Sequence, residues 1–112
     1  MLLTVDTTVV GDAVVVRAAG EIDLHTAPLL DEPVREAVES ASPRVVVDLS
    51  QTRYLDSTGL AVLLGAHQQL RAAGRSLVLR TSQPGVLRLL GLAGLTRLMT
   101  VEPEPEAGAA GA

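Results

Sequence analysis

The sequence predicts an α/β domain with a mixed sheet, because runs of β-branched residues alternate with segments whose apolar residues recur every three or four positions. Two further observations fix the outline. Gly11-Asp12 between two β-branched runs predicts an antiparallel hairpin at the start, and 112 residues is the usual size of one domain.

The first run covers residues 2–10 and the second residues 13–19, with Gly20 expected to end the second strand. Glu21, Ile22, Asp23 and Leu24 then lead to Thr26, a candidate helix cap, and to Pro28, which an early helical position tolerates because its missing N–H has no intrahelical partner there. Leu30, Val34, Ala37, Val38 and Ala41 give this helix its core face, and Ser42-Pro43 stops it.

Residues 45–49 are an almost unbroken apolar run, the mark of a central strand. A loop is expected over residues 50–55. A long helix then starts at Asp56, Ser57, Thr58 and Gly59, presents Leu60, Leu63, Leu64, His67 and Leu70 on one face, and ends at Gly74. A strand over 76–80, a helix over about 85–90 and a short strand over 98–101 complete the order β-β-α-β-α-β-α-β. This amounts to a four- to five-stranded mixed sheet packed with three to four helices across residues 1–101. Residues 102–112, Glu and Pro followed by Ala and Gly, are expected to be a disordered tail, having no large apolar side chain to offset ordering entropy.

Composition narrows the function classes. There is no Phe or Trp and only one Tyr, so recognition by aromatic stacking has little to work with. The net charge is −4, with nine Arg and no Lys, which disfavours nucleic acid and suits a partner carrying a basic site. With no Cys, disulfides and thiolate chemistry are excluded. No apolar run reaches the roughly 18 residues of a membrane span, and a cytoplasmic location is expected. His25 and His67 make no credible metal site, and His67 falls on an apolar helix face, where packing accounts for it. No cofactor fingerprint is present.

The chemistry-bearing segment is Asp56-Ser57-Thr58-Gly59. Asp, Ser and Thr are all favoured N-caps, so one reading is a plain helix start. The other is a switch. A phosphoryl group on Ser57 brings about −1.5 to −2 charges to a helix N-terminus, where dipole and free N–H groups favour it, while Asp56 and any partner surface shaped for a neutral hydroxyl oppose it. Asp23 either caps the loop before the first helix or meets a partner's basic group. Gly59 reads as structural, with room for a partner backbone beside Ser57.

Taken together, Gly20-Glu21-Ile22-Asp23 with Thr26-Ala27, the run at 45–49, Leu55-Asp56-Ser57-Thr58-Gly59-Leu60, Gly74 and the Leu-rich segment from Pro84 to Leu95 resemble the STAS domain of anti-sigma factor antagonists. The resemblance spans about residues 3–101. It implies that the unphosphorylated protein binds an anti-sigma factor, commonly a serine kinase using ATP and magnesium, and so releases a sigma factor. It also implies that phosphorylation blocks this binding and that a PP2C-type phosphatase reverses it. Ser57 matches the phosphoacceptor, with Thr58 the alternative; Asp23, Asp56, Ser57, Thr58 and Gly59 match the partner-binding surface. The chain is then a substrate and ligand, not an enzyme.

Three other readings compete with this one. A serine hydrolase lacks the G-x-S-x-G elbow and a base marked by spacing. A phosphoaspartate receiver using Asp48 or Asp56 lacks its lysine. A STAS domain with another output, such as a subunit of a lipid-transport complex or a stressosome-like scaffold, shares the fold and differs only in partner.

Overall fold

The computed structural model describes residues 2–103. Its order is β1 (Thr4–Val10), β2 (Ala13–Ile22), α1 (Ala27–Glu39), β3 (Arg44–Leu55), α2 (Ser57–Ala72), β4 (Ser76–Arg80), α3 (Pro84–Leu92), α4 (Leu95–Leu98) and β5 (Thr100–Glu102). The strands lie in the sheet in chain order. β1 and β2 pair antiparallel across the predicted Gly11-Asp12 turn, and every later neighbour is parallel. The mixed α/β sheet expected from sequence is thus present, with five strands and four helices among the described residues.

Side chains of all four helices meet one face of the sheet. Leu30 and Val34 from α1, Leu63 and Leu70 from α2, Val86 and Leu90 from α3 and Leu95 from α4 join Val14, Val16, Val45, Val47, Leu77 and Leu79 in a single core. The intervening residues Ala13, Val15, Val46 and Val78 form a separate small cluster on the opposite face. Branched aliphatics fill the core, as the lack of aromatics requires.

On that opposite face the register sets one charged residue of each strand side by side: Asp6, Arg17, Asp48, Arg80 and Glu102. Arg17 Nε lies 3.3 Å from Asp48 Oδ2, Arg80 Nη1 3.9 Å from the same oxygen, Arg80 Nη2 3.3 Å from Glu102 Oε1, and Arg17 Nη1 4.0 Å from Asp6 Oδ2. Asp48 is buried, so its charge persists only because both arginines and the Ser50 N–H (2.9 Å) meet it. A one-residue slip of any strand would move its member of this row to the core face, so the row helps hold the register.

Several boundaries differ from expectation, each for a local reason. β2 does not end at Gly20 but runs through it to Ile22. Gly20 adopts φ +127°, and a Cβ there would overlap the Leu2 carbonyl oxygen, so glycine continues the strand where another residue would have ended it. The expected loop at 50–55 is the second half of β3. Pairing with β2 shifts register between Arg17 and Ala19 and again between Gly20 and Glu21, and the bulges break the alternation that marks a strand in sequence.

Thr26 sits at the N-cap position of α1 without capping it: its hydroxyl donates to Glu21 O (2.8 Å) and accepts from the Asp23 N–H (2.9 Å). Ala41 is exposed beyond the end of α1, because Ser40 turns to extended geometry at the C-cap. Gly74 closes α2 as expected, at φ +71°, with the Arg75 N–H donating to Leu70 O (2.8 Å) and the Gly74 N–H to Arg71 O (3.0 Å). Residues 95–98 are the short helix α4, which delays the last strand to Thr100–Glu102. That strand runs one residue into the expected tail, and residues 104–112 of the tail lie outside the described residues. No helix of the described residues is long and apolar enough to cross a membrane.

Candidate functional site

The site forms where β2 and β3 end side by side. The Asp56 N–H donates to Ile22 O (3.1 Å), which brings the start of α2 next to the loop that carries Asp23. Two similar devices then stiffen the two segments. In the first, Asp23 Oδ1 accepts from the N–H groups of His25 (2.9 Å) and Thr26 (3.0 Å) and lies 3.2 Å from the Thr26 hydroxyl, whose one proton it shares with the nearer Glu21 O. In the second, Asp56 Oδ1 accepts from the N–H groups of Thr58 (2.9 Å) and Gly59 (3.4 Å) and from the Thr58 hydroxyl. Oδ2 of each carboxylate takes no hydrogen bond among the described residues.

These bonds favour the ionised acids. Hydrogen bonds from Thr26, the backbone one foremost, and from the His25 N–H hold the Asp23 carboxyl below its ordinary 3.8. The Thr58 hydroxyl, followed by the Thr58 and Gly59 N–H groups, does the same for Asp56, and the nearby Asp23 charge works weakly against it. The outcome is a pair of neighbouring carboxylates at the mouth of a helix, an arrangement suited to receiving a cationic group from outside.

Asp56, rather than Ser57, is therefore the N-cap of α2. Ser57 is the first helical residue and is exposed, and among the described residues no hydrogen bond ties its hydroxyl. Thr58 is half-buried with its hydroxyl committed to Asp56. The structure thus brings Asp23, Asp56, Ser57 and Thr58 together, and it separates the two hydroxyls by their freedom.

Gly59 packs inward at the start of α2. It is buried, and a Cβ on it would overlap Leu55 Cδ1 and lie 2.8 Å from Ile22 Cγ2. The missing side chain lets α2 seat closely on the ends of β2 and β3, because its α-carbon faces the core and not the solvent. Thr26, expected to cap α1, instead holds Asp23 through its N–H, and Leu24 and Tyr54 are site neighbours that the sequence does not mark. Leu24 follows Asp23 and Tyr54 stands two residues before Asp56, and they are 69% and 51% exposed. Exposed positions of this kind carry no periodic signal in a sequence. Among the described residues, no group of three or more His, Cys, Asp or Glu side chains is placed to hold a metal.

A family model described as "STAS domain" matches residues 4–108. The "Anti-sigma-B factor antagonist" of Bacillus subtilis (strain 168) is 32% identical over 93 residues, 83% of this chain and 84% of that protein. The "Anti-sigma F factor antagonist" of Paenibacillus polymyxa is 31% identical over 88 residues, covering 78% and 75%. A crystal structure of an anti-sigma factor antagonist from Mycobacterium paratuberculosis superposes with a TM-score of 0.86 at 28% identity, over 91% of this chain and 86% of that one.

Proposed function

The chain belongs to the STAS domain family of anti-sigma factor antagonists, and from this we propose that it binds an anti-sigma factor through the Asp23, Asp56 and Ser57 surface and releases it when Ser57 is phosphorylated. The observation that carries the proposal is the exposed Ser57 hydroxyl, free of hydrogen bonds among the described residues, beside two ionised carboxylates at the start of α2. The partner is a serine kinase that uses ATP and magnesium. Its site meets the acidic pair with a basic group and its bound ATP meets Ser57. Catalysis resides on that partner, and this chain serves as ligand and substrate. A PP2C-type phosphatase restores the binding form.

The effect of the phosphate follows from the local hydrogen bonding. Asp56 already takes the N–H groups of Thr58 and Gly59, which leaves the N–H of Ser57 itself among the first three helical residues. A dianion on Ser57 finds few donors within its own chain and two carboxylates close by. It therefore projects its charge onto the docking surface, where a basic partner site built for a neutral hydroxyl and two monoanions no longer fits. The fold remains as it is, since α2 keeps its cap.

The test is phosphate incorporation from ATP by the cognate anti-sigma kinase. Wild type and Thr58→Ala should both accept one phosphate, and Ser57→Ala should accept none while still binding the kinase. Phosphate on Ser57→Ala that disappears in the Ser57→Ala/Thr58→Ala double variant would transfer the role to Thr58.

A further inference from the structure

β1 is an edge strand. It pairs with β2 on one side and, among the described residues, with no strand on the other. Edge strands expose a row of unpaired N–H and C=O groups, and proteins blunt them with short length, Lys, Pro, bulges or covering segments. The opposite edge, β5, has such protection: it is three residues long, carries Glu102 and is followed by Pro103. β1 has seven residues, Thr-Val-Asp-Thr-Thr-Val-Val, of which six are β-branched. It contains no Lys or Pro, and its pairing with β2 proceeds without a register shift. Val9 and Val10 at its end are 72% and 62% exposed.

We propose that the outer edge of β1 is a self-pairing edge, at which a second copy of this chain adds its own β1 antiparallel about a two-fold axis at Thr7, making one continuous sheet from two. The strand is self-complementary in that register alone. With both helix layers on the same side, facing residues must have the same parity, so the dyad passes through a residue. At Thr7 the whole strand is used: Thr7 faces Thr7, Val5 faces Val9, Thr4 faces Val10 and Asp6 faces Thr8. Val9, stranded in solvent in the single chain, gains an apolar partner, and paired β-branched residues are the favourable cross-strand combination. Moving the dyad to Asp6 sets two carboxylates face to face. Moving it to Thr8 places Asp6 against Val10 and shortens the overlap. The single charge on the edge thus selects both the partner and the register. Asp6 itself already lies 4.0 Å from Arg17 of its own chain, so it does not repel the incoming strand as an isolated charge.

The absence of Cys makes the register directly testable. Facing residues of an antiparallel pair have Cα atoms about 4.5–5.5 Å apart, within the range a disulfide spans. Thr7→Cys should therefore cross-link to a second copy under mild oxidation several-fold faster than Ser82→Cys, an exposed position away from this edge. Sedimentation of the wild-type chain over a wide concentration range should show the mass rising from one chain toward two. Thr7→Lys, which sets two ammonium groups at the dyad, should stay at one chain with an unchanged thermal melt. A mass of one chain at every concentration overturns the proposal and leaves the edge for a strand of another protein. Equal cross-linking rates at the two cysteines overturn it too, as does a dimer that persists in Thr7→Lys.

Discussion

Gly59→Ala gives the sharpest test of how the start of α2 is seated. The new Cβ would overlap Leu55 Cδ1, lie 2.8 Å from Ile22 Cγ2 and 3.2 Å from Leu55 Cγ, where unstrained carbon contacts are about 3.5–4.0 Å. Leu55 and Ile22 are 4% and 0% exposed, so neither can swing into solvent. Overpacking of this kind costs about 1–3 kcal/mol. Ala in place of Gly returns about 1 kcal/mol of helix propensity. The two close approaches place the cost in the upper half of its range, so the net loss is about 1–2 kcal/mol. For a domain of this size that lowers Tm by roughly 4–10 °C. Urea and thermal unfolding measure it, and a cycle with Leu55→Ala isolates the cause: the double variant should be more stable than the two single losses added together. A Tm equal to or above wild type, or strict additivity in the cycle, would refute the argument that this glycine exists for close packing beneath Ser57.

Two further predictions concern the frame that holds the site. Arg75 donates to Ser42 O (2.8 Å), Ala37 O (3.3 Å) and Val38 O around the C-terminal end of α1, so Arg75→Ala should cost about 2 kcal/mol in denaturant unfolding. Arg75→Lys should recover only part of it, because an ammonium cannot span three carbonyls as a planar fork does. Burial works to raise the pKa of Asp48, but hydrogen bonds from Ser50 and the Arg17 guanidinium outweigh it and hold the carboxyl below its ordinary 3.8. A depressed folded-state pKa means the stabilisation is complete above the unfolded value and is lost as pH falls through the folded one. Stability should therefore fall as pH drops below about 4, and Asp48→Asn should be weaker at neutral pH yet show a shallower acid slope in unfolding at stepped pH.

Much of this was legible in one dimension, and what was not has physical reasons. Hydrophobic period and turn residues gave the hairpin, the central run at 45–49 and the long helix closed by Gly74, because local backbone chemistry decides those features. The second half of β3 was hidden: its two bulges leave Gln51, Arg53 and Tyr54 exposed and only Thr52 and Leu55 buried, a pattern that looks like a polar loop. The short α4 offers too few residues for a period. The charged row from Asp6 to Glu102 depends on strand register and so cannot be read along the chain. At the site, the cluster of Asp23 with Asp56-Ser57-Thr58 was visible through family resemblance. The assignment of the cap to Asp56, the tying of the Thr58 hydroxyl and the inward face of Gly59 needed coordinates, since residue type alone permits each of the alternatives.

Ser57 is the group whose charge we propose governs docking. The most direct test is the affinity of the cognate anti-sigma factor, by titration calorimetry, for this protein before and after stoichiometric phosphorylation, with the modified residue identified by peptide mass. A loss of about tenfold or more, equal to about 1.4 kcal/mol, with the phosphate on Ser57, is the predicted result. Equal affinity for the two forms, with the phosphate on Ser57, would contradict it.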